Sequence, residues 1–255
     1  MIANYHSHTT RCFHAVGTET EYLDAAVKRG LKIFGFSDHA PQWYPEGHSS
    51  RIRMATDQLE EYCQCIRQLQ AQYKDKLEIP LGLEVEYYPD LFDALHDHAQ
   101  AAGVEYLLLG QHWCGNEVGE AYNGRPTEDP AALKRYTQQC MQAMETGLFT
   151  YLAHPDLMHF VGDPGIYKTY MRALCKASIA TDTPVEINLL GLLNDRHYPN
   201  RLFWEIAAEE GCQVVLGIDA HAPVEILASE PEKKALDWIS VLGLKLLGTV
   251  PLKKI

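Results

Sequence analysis

Short apolar runs recur along the chain, and nearly every one is followed by a longer segment in which apolar residues have helical spacing. The apolar runs predict strands at residues 2–5, 32–36, 79–85, 106–109, 150–153, 185–188, 213–218 and 245–250. The segments between them predict helices at residues 20–29, 56–74, 91–102, 130–146, 166–181 and 202–210. A polar stretch at residues 42–54 is the longest ambiguous loop, and it could cover a site.

The alternation of strands and helices determines the fold class that we expect. Repeated strand-then-helix units imply parallel strands joined by right-handed crossovers, either closed into a barrel or spread as a doubly wound sheet. No glycine-rich phosphate loop follows a predicted strand, so a nucleotide-binding sheet is the weaker choice. A length of 255 residues is usual for one α/β barrel. We therefore predict an α/β fold with a TIM-like (β/α) barrel, forming a single domain over residues 1–255.

Composition narrows the range of partners. The formal net charge of -12 argues against a nucleic-acid surface and against anionic membranes, because both require clustered Lys and Arg. The sequence has no recognisable secretory signal and no apolar run long enough to span a bilayer, so we expect a soluble, cytoplasmic protein. The seven cysteines are an odd number in a chain too large to need disulfides, which predicts free thiols.

Histidines and carboxylates stand at the C-terminal ends of the predicted strands. They are His6 and His8, His39, Glu84, His112, His154, and Asp219 with His221. In a parallel barrel these strand ends open onto one face, so residues distant in sequence meet there. The i, i+2 spacing within the first and last pairs points both side chains to the same side of the strand. Imidazole and carboxylate are ligands of zinc, manganese and iron, so the sequence predicts a metal site.

The motifs at these strand ends resemble those of a known family. They read His6-Ser7-His8, His14, Ser37-Asp38-His39, Gly82-Leu83-Glu84, Gly110-Gln111-His112, Ala153-His154-Pro155-Asp156 and Gly217-Ile218-Asp219-Ala220-His221. In order and spacing they resemble the full motif set of PHP (polymerase and histidinol phosphatase) domain phosphoesterases, especially the stand-alone histidinol-phosphate phosphatases. The resemblance spans residues 6–221. It implies a distorted seven-stranded (β/α) barrel with a trinuclear metal site.

The same resemblance implies three divalent ions, which could be zinc, manganese or iron, and it assigns their ligands. One ion would be held by His6, His8, Glu84 and Asp219, with Glu84 bridging to a second. The second would also take His112 and His154, and the third would take His14, His39 and His221. Glu86 points to the same side of its strand as Glu84, and the family's Gly-Leu-Glu context favours Glu84 as the bridge.

Ions held in this way would support phosphate monoester hydrolysis. Two ions can lower the pKa of a shared water toward neutrality and hold the phosphoryl oxygens for in-line attack by the resulting hydroxide. Asp38 and Asp156 adjoin ligand histidines and have two interpretations. They could orient the imidazoles, or one of them could act as the catalytic acid that protonates the leaving oxygen.

The expected partner is a small phosphorylated substrate. Histidinol phosphate is the leading candidate, and another phosphorylated metabolite or a nucleotide is the alternative. Arginine suits bidentate contact with phosphate. Candidates in loop-like or site-proximal segments are Arg11, Arg51, Arg53, Arg196 and Arg201. Histidinol-phosphate phosphatases often carry an arginine shortly after the His-Pro-Asp motif, where this chain has residues 157–160 without one, and Arg196 could replace it.

Two other classes compete with a phosphatase. An amidohydrolase also begins with His-x-His on a barrel strand and ends with a strand-terminal Asp, but it normally lacks the terminal Asp-x-His pair, so Asp219 and His221 together with His14 favour phosphoester hydrolysis. A non-catalytic metal-binding barrel would usually have lost ligands, and none is missing here. The sequence specifies neither the native metals nor the oligomeric state.

Overall fold

The computed structural model describes residues 1–44 and 48–255. Within these residues the strands are β1 (Ala3–Asn4), β2 (Ile33–Phe34), β3 (Phe36–His39), β4 (Leu81–Val85), β5 (Tyr106–Leu109), β6 (Phe149–Leu152), β7 (Val185–Asn188), β8 (Gln213–Gly217) and β9 (Lys245–Leu246). The helices are α1 (Glu19–Arg29), α2 (Leu59–Tyr73), α3 (Phe92–Ala101), α4 (Pro130–Glu145), α5 (Pro164–Ala180), α6 (Leu189–Leu193), α7 (Arg201–Glu210), α8 (Pro223–Ile226) and α9 (Glu230–Leu242).

The strands are parallel and follow one another in chain order. In the described part of the chain, β3 to β9 form one seven-stranded sheet, and β1 pairs with β2. A helix crosses over between most neighbouring strands, as right-handed β-α-β connection requires. The prediction of an α/β fold with parallel strands is confirmed.

The segment that follows β1 connects the two sides of the sheet. Ser37 N donates to Ser7 O at 2.9 Å, and Asp219 N donates to His6 O at 2.9 Å. The first bond joins this segment to β3, and the second joins it to the residues that follow β8. The sheet therefore curves into a barrel-like arrangement, although its ladders do not run continuously around the ring.

Apolar side chains alternate between the two faces of the sheet. Along β5, Leu107 and Leu109 pack in the large core beneath the helices, whereas Tyr106 and Leu108 belong to a smaller cluster on the opposite face. This alternation is the period-2 pattern of a strand that is buried on both sides. The smaller cluster fills the inside of the curved sheet, and its other buried members are Ala3, Tyr5, Tyr151, Ala153, Val215 and Val250.

Most element boundaries agree with the sequence pattern within a few residues, but the C-terminal part differs. The strand expected at 245–250 is confined to Lys245–Leu246, and the pattern missed helix α9 entirely. Helix α9 nevertheless carries ordinary signals of a helix, with a proline in its first turn and a left-handed Gly243 after its last residue.

All seven cysteines are free, as predicted. Among the described helices, none combines the length and apolar character needed to cross a bilayer.

Candidate metal centre

Glu84, near the end of β4, lies at the centre of the histidines that the strand ends bring together. Its Oε1 is 2.8 Å from His154 Nε2 and 3.5 Å from His6 Nε2. Its Oε2 is 3.0 Å from His39 Nδ1 and 3.6 Å from His8 Nε2. The carboxylate is almost completely buried, so these imidazoles surround it without intervening bulk water.

The nine residues predicted as metal ligands all lie at this end of the sheet. Ligand atoms within 4.8 Å of one another occur in the groups His6-His8-Asp219, His14-His39-His221, His6-Glu84-His154 and His8-His39-Glu84. The ninth residue, His112, has its Nε2 3.7 Å from Glu84 Oε1. The group His14-His39-His221 is the ligand set that the family resemblance implied for the third ion, and His6-His8-Asp219 contains three of the four ligands implied for the first. The other two groups share Glu84.

The donor set fits divalent cations. Three atoms that face the centre of the cluster are buried and have no well-aligned hydrogen-bond partner, and these are His6 Nε2, His39 Nδ1 and Glu84 Oε2. Buried polar atoms are normally satisfied, so such a concentration at one place requires an explanation. Imidazole nitrogen and carboxylate oxygen are the ligands that zinc, manganese and iron accept, and coordination would satisfy atoms that the protein leaves unpaired.

The outer nitrogen of most of these imidazoles is held by a second group. His6 Nδ1 is 2.8 Å from Glu186 Oε1, and His112 Nδ1 is 2.8 Å from Glu86 Oε1. His14 Nδ1 is 2.6 Å from the carbonyl oxygen of Cys12. Such a partner fixes the proton on Nδ1 and turns Nε2 toward the centre, as in known metal sites.

The charges in the cluster depend on one another. Burial alone would raise the pKa of the Glu84 carboxyl, but His112, His39 and His6 hold that pKa well below its usual value. Burial lowers the pKa of His8, yet hydrogen bonds with Asp219 and Asp38 outweigh this effect and raise the pKa to about 9. The buried carboxylates thus depend on neighbouring positive charge, which bound metal ions would supply.

Glycines allow two carboxylates to reach this place. A Cβ on Gly110 would lie 1.9 Å from Glu84 Oε1, and a Cβ on Gly217 would lie 1.7 Å from Glu186 Oε1. Only glycine permits so close an approach at these positions. The backbone of His154 and Asp219 has φ values of 30° and 56°, a left-handed conformation that is uncommon for residues with a side chain and is concentrated at functional sites.

A cavity of about 470 Å³ opens next to the cluster. Its lining includes predicted ligands from several strand ends, among them Glu84, His112 and Asp219. The remaining wall carries two arginines, three aromatic residues and further polar groups: Arg51, Arg196, Trp113, Tyr122, Tyr198, Asn194 and Glu225. Of the predicted loop 42–54, residues 45–47 lie outside the described residues, whereas residues 51 and 52 line this cavity.

The other predicted phosphate-binding arginines are engaged elsewhere. Arg11 forms ion pairs with Glu19 at 2.5 Å and Glu61 at 2.8 Å, and Arg201 pairs with Glu205 on the surface of α7 at 3.0 Å. Neither residue belongs to the described lining of the cavity. Since Arg51 and Arg196 do belong to it, these two are the arginines placed to meet a ligand next to the cluster.

Asp38 and Asp156 also lie outside the described cavity lining. Asp38 Oδ1 accepts from His39 N at 2.8 Å and is 3.5 Å from His8 Nδ1. Asp156 Oδ2 accepts from Trp204 Nε1 at 3.1 Å, and burial raises the pKa of this carboxyl to about 7. This placement favours a role in orienting neighbouring groups over direct proton transfer to a leaving group.

Sequence reasoning missed Glu186 and Asn188 on β7. Asn188 Nδ2 donates to Asp219 Oδ2 at 3.0 Å and to Glu186 Oε2 at 3.1 Å. The two residues have the i, i+2 spacing at a strand end that revealed His6 and His8, so the same signal could have found them. The aromatic residues of the cavity wall lie in irregular segments and carry no comparable signal.

A buried cluster of imidazoles and carboxylates at one end of a parallel sheet, beside an open cavity, is typical of a metal-dependent enzyme. The family model described as "PHP domain" matches residues 4–189, which is more than half of the chain. The chain therefore belongs to the PHP domain family.

Relatives of known name agree with this membership. A probable histidinol-phosphatase of Deinococcus radiodurans is 29% identical over 234 residues, which cover 88% of each chain. The crystal structure of histidinol phosphate phosphatase from Lactococcus lactis, complexed with zinc, L-histidinol and phosphate, is 21% identical with a TM-score of 0.75, and the match covers 99% of this chain and 98% of that one. A putative histidinol phosphatase of Listeria monocytogenes is 20% identical with a TM-score of 0.73, covering 88% and 97%. The two structures show that the fold is shared.

Proposed function

We propose that this protein hydrolyses a small phosphate monoester by means of three divalent ions, and that L-histidinol phosphate is the leading substrate. The observation that carries the proposal is the convergence of nine predicted ligand residues beside a cavity whose wall holds Arg51 and Arg196. Membership of the PHP domain family and the names of the relatives support it.

The proposed ligand sets follow the family pattern. Glu84 would bridge the first and second ions, and the distances from its two oxygens to the surrounding imidazoles support this role. The first ion would also take His6, His8 and Asp219, the second His112 and His154, and the third His14, His39 and His221. When bound, such ions lower the pKa of a water nucleophile and neutralise phosphoryl oxygens.

Residues around the proposed ligands would orient the imidazoles and supply positive charge for the substrate. Glu186 and Glu86 hold the Nδ1 atoms of His6 and His112, so that each Nε2 faces inward. Arg196 lines the cavity with its guanidinium near the Tyr198 ring, 5.7 Å from the centroid. A guanidinium here suits bidentate binding of a phosphoryl group.

The cavity wall also suits the organic part of histidinol phosphate. That molecule presents an ammonium group and an imidazole ring next to its phosphate. The aromatic faces of Trp113, Tyr122 and Tyr198 can stack on a ring or a cation, and Glu225 adds a carboxylate. A different phosphorylated metabolite, or a nucleotide with its stacking base, is the alternative that these walls also support.

The decisive experiment is a hydrolysis panel on purified protein whose metal content has been quantified. It compares histidinol phosphate, other phosphomonoesters and nucleotides with amide and lactone substrates, before and after removal of metal by a chelator. We expect release of phosphate that chelation abolishes and added zinc, manganese or iron restores. The Asp219→Asn variant should be inactive on every substrate, because the mutated side chain is a proposed ligand.

The outcomes separate the alternatives. Phosphate release from other monoesters but not from histidinol phosphate would correct only the substrate. Hydrolysis of amides or lactones without phosphate release would indicate an amidohydrolase, and no hydrolysis by the metal-loaded protein would refute the proposal.

We also propose that the protein works in the cytoplasm. Its free cysteines support a reducing location.

A further inference from the structure

Arg53 is buried, with 1% of its surface exposed, although the sequence placed it in a polar loop. All five N–H groups of its guanidinium have acceptors. Nε and Nη2 donate to Glu117 Oε2 at 3.1 and 2.7 Å, and Nη2 also donates to Glu86 Oε1 at 3.0 Å. Nη1 donates to Glu86 Oε2 and to Ala40 O. Arg53 is one of the five candidate arginines for phosphate binding, but every donor of its guanidinium already has an acceptor within the protein.

Glu86 connects Arg53 to the metal centre. The Oε1 atom that accepts from Arg53 also lies 2.8 Å from His112 Nδ1. The opposite nitrogen of that ring, Nε2, faces Glu84 at 3.7 Å. The rotation of the His112 ring is thus set by an oxygen that Arg53 holds in place.

Glu117 connects Arg53 to the cavity wall. Glu117 lies between Trp113 and Tyr122, which line one side of the cavity, whereas Arg51 lines it two residues before Arg53. The ion pair between Arg53 and Glu117 therefore fastens one part of the wall to another. Both partners are removed from water, since 1% of the Arg53 side chain and 9% of the Glu117 side chain are exposed.

Stability alone does not account for such a cluster. Removing an arginine and two carboxylates from water carries a large desolvation cost, and apolar residues of similar volume often stabilise a protein as well or better. A buried guanidinium instead provides fixed geometry, because its planar set of N–H donors holds two carboxylates in one plane at fixed positions.

We propose that Arg53 is a positioning residue that acts on two parts of the site at once. Through Glu86 it orients the ring of His112 toward the second ion. Through Glu117 it fixes the position of the cavity wall relative to that ion. The inference rests on the metal centre of the proposed function. Breaking the hydrogen bonds from the Arg53 guanidinium to Glu86 and Glu117 should therefore weaken the binding of one ion and of the substrate together.

The test uses two variants of the full-length protein. Arg53→Lys keeps the positive charge but removes the planar guanidinium. Glu117→Gln removes the ion pair between Arg53 and the cavity wall, while Glu86 and His112 stay in place. The matched controls are Arg135→Lys and Glu120→Gln, which alter an exposed ion pair of 3.7 Å that involves the same segment as Glu117. The measurements are metal affinity by chelator competition, the visible spectrum of the cobalt-loaded protein, and kcat and KM.

For Arg53→Lys we expect affinity for one ion to fall about 10- to 100-fold, together with an altered cobalt spectrum, because outer partners of ligands typically have effects of this size. For Glu117→Gln we expect a raised KM with a smaller change in metal affinity. The two control variants should match the unmodified protein. If Arg53→Lys does not fold, the KM of Glu117→Gln decides the inference.

Folded variants with native metal affinity, cobalt spectrum and KM would overturn the inference and reduce Arg53 to a structural role. The cobalt spectrum is independent of turnover, so it separates this inference from the proposed function. A spectrum changed by Arg53→Lys in a protein that hydrolyses no monoester would refute the function and support the positioning role.

Discussion

His6 and Glu186 are 180 positions apart in the chain, yet His6 Nδ1 lies 2.8 Å from Glu186 Oε1. The other oxygen of the same carboxylate accepts from His154 N at 3.0 Å and from Asn188 Nδ2 at 3.1 Å. Three donors from three segments thus converge on one buried acceptor. A carboxylate can accept all three, whereas an amide would have to turn its own donors toward at least one of them.

The Glu186→Gln variant should therefore lose metal affinity by about 10- to 100-fold while remaining folded, since the His6 ring loses its fixed orientation. Chelator competition measures the affinity, and circular dichroism checks the fold. The matched control is Glu205→Gln, which changes an exposed carboxylate on α7 and should leave affinity unchanged. Unchanged metal affinity in Glu186→Gln would show that His6 is oriented by other contacts.

Gly110→Ala should displace Glu84 and remove activity. The new methyl group would lie 1.9 Å from Glu84 Oε1, so the carboxylate must move away from the histidines around it. We expect a destabilisation of about 1–3 kcal/mol from overpacking and the loss of at least one bound ion. Gly248→Ala is the control, because its methyl group would meet only Ile2 at ordinary contact distance, 3.7 Å. Denaturant unfolding and metal analysis compare the two, and full metal content in Gly110→Ala would contradict the prediction.

Arg196→Gln should reduce kcat/KM for the preferred phosphomonoester by about 10- to 100-fold, the effect expected when a charged hydrogen bond to phosphate is lost. Arg201→Gln should have no such effect, because that arginine pairs with Glu205 outside the described cavity lining. Steady-state kinetics on both variants is the measurement. Equal effects of the two substitutions would mean that the cavity is not where the phosphate binds.

His197 should make folding stability depend on pH. Its pKa is lowered, chiefly by burial and further by His159 and Arg196, while Nε2 is 2.7 Å from Leu157 O. A base with a lowered folded pKa binds more protons when unfolded, so its contribution is complete above its unfolded pKa of about 6.5 and is lost as pH falls below it.

The corresponding test compares free energies of unfolding in urea at about pH 7.5 and about pH 5.5. Between these two conditions the His197→Gln variant should lose less stability than the unmodified protein, because glutamine does not titrate and still offers a donor to Leu157 O. An identical loss in both proteins would exclude His197 as a source of the dependence.

Much of the fold could be predicted because local patterns specify it. The apolar runs predict buried strands such as Tyr106–Leu109 and Val185–Asn188 at their observed bounds, since short apolar runs between helical segments are distinctive. Helix α9 was missed although it carries end signals, and the length of β9 could not be foreseen, because pairing with β8 determines where that strand ends.

The sequence by itself determined which residues could hold metal, because a polar pair at the end of an apolar strand conflicts with the pattern around it and therefore stands out, as His6 and His8 do. Only the tertiary structure decided how those residues are supported. Glu186 reaches His6, and Arg53 turns from a candidate phosphate ligand into a buried partner of Glu86. Such contacts join segments far apart in the chain, so they depend on distances that no local pattern encodes.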